Sequence, residues 1–257
     1  MFERFNASRD THDARDHYVH TSEFFKLKHA EDLPAKVDLR PHCSPVENQA
    51  SLSSCVYNSI VGAMEYLEIK HHHDHHYSDL SRLFPFYNGR VVEHTVNKDV
   101  GTQIRTGLKV VEKYGTPLEE IWPYRAAKVG IRPPPEVFDK AAKHKIHAYA
   151  RISREKGLVD VKRTLASGYP IVFCFDCYDE LDSEDMAVTG LLPMPGKHSK
   201  NNGCHAVLLV GYDDESQRGL VRNSWGVDWA LGGYFTMPYA YLSDRVLSAD
   251  FWTITKA

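Results

Sequence analysis

Between Pro45 and Glu68 a polar loop turns, at a single cysteine, into a run that only a packed helix explains. Ahead of Cys55, Asn48 to Ser54 is small and polar and has no apolar periodicity. Behind it, Ile60, Met64 and Leu67 recur at helical spacing, with Val61 and Ala63 filling the same side. A thiol at that junction sits at a helix N-terminus, where unpaired backbone N–H groups and the positive end of the helix dipole favour thiolate over thiol. The competing fate is that of an inert, buried small hydrophobe, and the polar loop ahead of Cys55 argues against it.

The chain around this junction is large enough for one big core or two packed lobes: 257 residues, 42% hydrophobic, with a formal net charge of -3. Basic residues are scattered and form no block, which points away from nucleic acid or an anionic membrane as partner. No run reaches membrane-spanning length, and Met1 to His20 is polar where a secretory signal needs an apolar centre. The expectation is cytoplasmic residence, or export without a cleavable signal. Cys43, Cys55, Cys174, Cys177 and Cys204 are odd in number, so at least one stays outside any intramolecular pair.

Residues 1–36 read as a leader, dense in charge and histidine, with Tyr18, Phe24, Phe25 and Leu27 as its apolar anchors. It cannot carry a core of its own. It is either a surface arm or an inhibitory segment lying in a cleft. The body, 37–257, opens with Val37, Asp38 and Leu39. Its first lobe, about 45–125, is helical: Ser78 to Arg90 turns Leu80, Leu83 and Phe84 inward, and Ile104 to Tyr114 is closed by Gly115. Its second lobe, about 140–257, reads as strands at His147–Ile152, Tyr169–Cys177, Cys204–Tyr212, Gly219–Asn223 and Gly233–Met237. A helix at Val159–Ala166, stopped by Gly168, lies among them, and Lys197 to Asn202 reads as a long mobile loop. Helices first and strands later predict an α+β protein whose two lobes face each other across a cleft.

Two other features invite metal. Lys70 to Tyr77, KHHHDHHY, could ligate zinc, but imidazoles at a helix C-terminus are favourable without any metal, and none is expected. Cys174 and Cys177 stand three apart on a strand and point to opposite faces, so they are badly placed to share a metal or a disulfide.

A thiol needs a base to become a strong nucleophile near neutral pH, and that base needs a third group to fix its tautomer. His205 leads an apolar strand and Asn223 follows another. Alone, a histidine so placed is more often a satisfied core residue; beside Cys55 it reads as the base, with the Asn223 side-chain carbonyl as its orienter. Trp225 can shield that hydrogen bond from water. Gln49, six residues before Cys55, is placed to donate its side-chain N–H to a developing oxyanion, alongside the backbone N–H of Cys55.

The order Gln49, Cys55, His205, Asn223, carried by NQASLSSC, CHAVLLVGY and NSWGVDWALGGY, resembles the papain family of cysteine peptidases. The resemblance runs from VDLR at Val37 to Tyr239, and LSRLF, LKVVEKYGTPLEEIWPY, VTGLLPMP and MPYAYL liken it to the bacterial-type branch with a short leader. It implies a papain-like two-lobe fold, with a helical N-terminal lobe, an antiparallel sheet in the C-terminal lobe and the site in the cleft between them. It implies an endopeptidase without cofactor, acting on peptide or protein substrates through an acyl-enzyme. Cys55 would be the nucleophile, His205 base then acid, Asn223 the orienter and Gln49 the oxyanion donor. Gly101 and Thr102 would hold the substrate backbone, Trp225 would wall the leaving-group side, and Cys174 and Ala206 would line the pocket for the side chain two before the cut bond. The leader is expected across the cleft, anchored by Tyr18, Phe24 or Phe25.

The sequence departs from the family pattern at Ala50, Leu52, Ser54 and Val56, which stand for Gly, Cys, Gly and an aromatic. Leu52 removes a disulfide; Ser54 would strain the loop if a positive φ is needed there. Ala230 for glycine is expected to alter only packing, and Cys204 offers a thiol able to pair under oxidation. A peptide-binding protein without turnover, or an acyl transferase or ligase with the same three groups, stays open.

Overall fold

A computed structural model describes residues 5–71 and 77–256. Among these residues there are seven α-helices and seven strands. The helices are α1 (Cys55–His71), α2 (Leu83–Val92), α3 (Ile104–Lys113), α4 (Pro135–Ala141), α5 (Val159–Ala166), α6 (Glu184–Thr189) and α7 (Tyr239–Ser243). The strands are β1 (Lys36–Asp38), β2 (Ile146–Arg151), β3 (Ile171–Tyr178), β4 (Asn201–Asp213), β5 (Arg218–Arg222), β6 (Tyr234–Pro238) and β7 (Ser248–Lys256). The strands form one antiparallel sheet in the order β2-β7-β3-β4-β5-β6, with β1 paired to β4. The α+β, two-lobe architecture is the expected one.

The helix α1 runs between the lobes, against α2 and α3 on one side and β3, β4 and β7 on the other. Burial from Cys55 through Ile69 follows, charged side chains included. Glu65 is held by the Ser44 hydroxyl at 2.5 Å and the Leu80 N–H at 3.0 Å, and burial pushes its carboxyl up to about 7. That Leu80 bond explains why α2 begins at Leu83 and not at Ser78. The backbone of 78–82 is committed elsewhere, with the Ser78 N–H on Glu68 and the Ser81 N–H on Pro117 O.

The sheet departs from expectation in two places. Residues 201 and 202 are not loop but the start of β4, paired with the end of β3. And β7, which no alternation in the sequence marks, lies between the edge strand β2 and β3. Phe251, Trp252, Thr253 and Ile254 are all buried, so the strand carries no alternation to read. Residues 72–76, most of the histidine run, lie outside the described residues; among the described residues no group of three His, Cys, Asp or Glu side chains could hold a metal ion.

Residues 5–25 are built into the body. Asp16 bridges Arg105 at 2.7 Å and Arg151 at 3.0 Å. Asp10 accepts from Trp252 Nε1 at 2.7 Å and from the Arg105 N–H at 3.1 Å, while its own N–H donates to Asp250, itself paired with Arg151. Phe25 packs edge-on to Tyr169.

Burial, and then the facing Asp250 carboxylate, push the Asp10 carboxyl up to about 6. The folded chain therefore holds this proton more tightly than the unfolded chain. Asp10's contribution is full below its unfolded pKa and is lost as pH rises through about 6. Between about pH 4 and pH 7 the thermal midpoint of the native chain is expected to fall relative to that of Asp10→Asn; parallel profiles for the two would refute this.

Candidate active site

Cys55 is the first residue of α1, and the loop before it is pinned from both lobes. The Gln49 N–H donates to Ser224 O at 2.8 Å on the sheet side. The Ser53 N–H and hydroxyl donate to the side chain and carbonyl of Asp99 at 3.1 and 3.2 Å on the helical side. Ser54 carries no strain: its hydroxyl lies 2.5 Å from Tyr124 Oη, and its carbonyl accepts from Asn58 Nδ2. The positive φ falls instead on Ala50, at 51°, and on Ala230, at 48°, so Ala230 bears a backbone demand beyond packing.

His205 is buried on β4, and its Nε2 lies 2.8 Å from Asn223 Oδ1. The same oxygen accepts the Ser224 N–H at 2.8 Å, which fixes the Asn223 amide with oxygen toward the ring. An amide oxygen only accepts, so Nε2 carries the hydrogen and Nδ1 is the nitrogen that can exchange a proton. Trp225 stacks over the imidazole, centroids 5.3 Å apart and planes 25° inclined. The Ser59 hydroxyl lies 2.9 Å from Cys55 O and 3.1 Å from Ala206 O, tying the first turn of α1 to the residue after His205.

Gln49 is fully buried. Ser224 Oγ donates to its Oε1 at 2.6 Å and its Nε2 donates to Leu52 O at 2.9 Å, which settles the direction of the amide. Ser224 was not singled out in the sequence, although it stands inside the NSWG tetrad; nothing local marks a serine as the partner of a glutamine so far upstream.

Residues 5–8 of the chain itself lie against residues of both lobes here. The Ala7 N–H donates to Cys204 O at 3.0 Å and the Ser8 N–H to Thr102 O at 3.2 Å, while Asn6 Nδ2 reaches Ser53 Oγ at 3.2 Å. Phe5 packs on His205 and Trp225, each at 5.9 Å between centroids. The approach is so close that glycine is required beneath it: a Cβ on Gly101 would lie 1.9 Å from Asn6 O, and one on Gly203, at φ 121°, 2.3 Å from Phe5 O. The expected anchors were therefore the wrong ones. Tyr18 and Phe24 are 38% and 55% exposed, and Phe25 packs on Tyr169; Phe5 is the aromatic residue in the cleft.

Burial pushes the Cys55 thiol up to about 11, against the lowering expected from its place at a helix start. Neighbouring backbone N–H groups, those of Ala206 and Val56 foremost, oppose that rise without overcoming it.

The remaining anticipated residues group around this segment. Gly101 lies under Asn6, and Thr102 supplies the acceptor for Ser8 and bonds Tyr57 through its hydroxyl at 2.9 Å. Ala206 is buried beside Cys55. Cys174 is disulfide-bonded to Cys204, Cα atoms 6.3 Å apart, while Cys177 is a separate free thiol; Cys43 and Cys55 are free as well. No helix of the described residues is long and apolar enough to cross a membrane.

A sequence profile described as papain family cysteine protease matches residues 33–244. An uncharacterized peptidase C1-like protein of Acanthamoeba polyphaga mimivirus is 40% identical over 229 residues, 87% of this chain and 73% of that one. Human cathepsin L2 is 28% identical over 216 residues, 79% of this chain and 60% of its own length. Among solved structures, xylellain, a cysteine protease from Xylella fastidiosa, superposes with a TM-score of 0.89 at 34% identity, covering 99% of this chain and 96% of that one.

Proposed function

The chain belongs to the papain family of cysteine proteases, and we propose that it is an endopeptidase cutting peptide bonds with Cys55, His205 and Asn223, in a cleft that its own residues 5–8 hold closed until they are displaced. The observation that carries the reading is the 2.8 Å contact of His205 Nε2 with Asn223 Oδ1, on the strand whose next residue aims its N–H at Cys55.

In this reading His205 Nδ1 takes the proton from Cys55 Sγ, and the sulfur attacks the carbonyl carbon of the substrate. The developing oxyanion receives the Cys55 N–H and the Gln49 Nε2 hydrogen not used by Leu52 O. The imidazolium returns its proton to the leaving amine as the C–N bond breaks, leaving a thioester. Water, deprotonated by the same nitrogen, then releases the acid and restores the thiol. Asn223, uncharged, orients the ring without adding a buried anion beside the thiolate and imidazolium.

The docked segment supports latency by its orientation. It spends the Ala7 N–H on Cys204 O and the Ser8 N–H on Thr102 O, and it turns Asn6 O toward Gly101. Burial of Cys55 beneath it disfavours the thiolate in the same stroke.

The test is turnover of a peptide library, with products identified by mass spectrometry in the presence and absence of an added amine; hydrolysis products in both supports the reading, and amide products alone would replace it with acyl transfer. Gln49→Ala is expected to lower kcat on the order of a hundredfold with a smaller change in KM, because the donor acts on charge that exists only in the transition state. An unchanged kcat would remove Gln49 from the site. Ser224→Ala frees the Gln49 amide to turn and should lower kcat by a smaller factor, on the order of tenfold.

A further inference from the structure

The residue after the cleft segment, Arg9, extends the contacts of Ala7 in an instructive way. The segment from Asn6 to Arg9 is extended, so its side chains alternate between the two walls. Asn6 reaches Ser53 on the helical lobe, while Arg9 turns to the sheet lobe, where its Nη2 lies 2.6 Å from Asp176 Oδ1 and also donates to Val246 O. Asp176 stands on β3 directly across from Cys204, the residue whose carbonyl takes the Ala7 N–H. Its carboxylate is part of this peptide-binding rim.

The carboxylate is also prepared. Asn201 Nδ2 donates to Oδ2 at 3.1 Å, the Asp176 N–H is used by Leu247 O, and its carbonyl accepts from Tyr241 Oη at 2.6 Å. The side chain is 16% exposed. Asp99 and Asp250, the other carboxylates near the segment, have partners within the body, Ser53 and Arg151. The cation on Asp176 comes from the leader, where a peptide's side chain would be.

We infer that Asp176 is a specificity-determining residue of the cleft, selecting peptides that bring an Arg or Lys side chain to the Thr102 end of the site. The inference rests on the peptidase reading above and adds the substrate class. The leader serves as a tethered ligand that shows what this rim accepts. A guanidinium gains a charge-assisted hydrogen bond to the carboxylate and a second bond to the Val246 carbonyl; a carboxylate-bearing side chain meets repulsion from both oxygens.

Two measurements on the full-length chain test this. In the first the leader is the probe: Arg9→Glu should raise the rate at which an uncharged thiol reagent labels Cys55, on the order of tenfold, and adding Asp176→Lys should bring it back down. No rise, or no reversal in the double variant, overturns the pairing. In the second, Arg9→Ala chain is given peptides identical except for Arg or Glu at each of the residues preceding the cut. An Arg over Glu preference in kcat/KM of about tenfold at one position, lost in Arg9→Ala/Asp176→Asn, is expected. A preference that survives Asp176→Asn overturns the assignment while leaving the peptidase intact. Cys55 labelled readily with no peptide cut by any variant overturns the peptidase reading and this one with it. Raised salt should shrink the preference, since the pair is partly exposed.

Discussion

Cys55→Ala is expected to abolish peptide hydrolysis, by about ten-thousand-fold or more, while the chain stays folded. The sulfur belongs to the first residue of α1, with the backbone N–H groups of Ala206 and Val56 beside it, and no other free thiol begins a helix. Burial is also the leading cause that raises Cys43 and Cys177; Cys177 neighbours the His205 backbone N–H but stands on β3, and Cys43 follows a short 3-10 turn, so neither begins a helix. Removing a sulfur from a fully buried site leaves a small cavity, worth about 1 kcal/mol of stability, well within what a domain of this size tolerates. The readout is therefore clean: turnover by the purified variant against turnover by the native chain, with circular dichroism and thermal midpoint to show the fold retained. Substantial turnover by Cys55→Ala would mean that another residue is the nucleophile.

The second large effect is expected at the leader. Ala7→Pro removes the N–H that donates to Cys204 O, and its ring crowds the rim at the same point. Loss of that bond should shift the segment toward release, raising Cys55 labelling by about tenfold to a hundredfold. The pH dependence of labelling should move as well. Burial holds the docked thiol up at about 11, so release should bring its titration down toward neutral pH. Labelling of Ala7→Pro at the native rate and with the native pH profile would leave residues 5–8 without a gating role. A point substitution is the better probe than a deletion of residues 1–30, because residues 10–25 supply partners to Arg105, Arg151, Trp252 and Tyr169.

The sequence was most legible where local chemistry and long-range demand coincide. Cys55 at a loop-to-helix junction, His205 at the head of an apolar run, and Asn223 before Trp225 each carry their signal within a few residues, and the fold places His205 and Asn223 in contact. The α5 span, Val159–Ala166, was readable because an apolar stripe ends at a glycine, and Gly168 does turn left-handed at φ 79°. What was not legible depended on partners distant along the chain. The orientation of Gln49 is set by Ser224; the late start of α2 by Glu65; the docking of Phe5 by a cleft that exists only once both lobes are formed. The strand β7 was missed because burial on both faces erases alternation. Ser54 needs no glycine, since of the two positions where the family pattern has one in this loop only Ala50 takes a positive φ.

The place of β7 between β2 and β3 has a consequence for how the molecule is made. The strand latest in the sequence is the one that joins β2 to β3, so during synthesis the earlier strands have a gap between them until Ser248–Lys256 has been translated. Pairings that span so much of the chain are slow to close, since the loop entropy is spent before the contacts form. Asp10 and Trp252 meet across a longer span still, 242 residues. Topology thus leaves β2 and β3 without their shared neighbour, and Asp10 without the Trp252 indole, until the last strand in the sequence has been added.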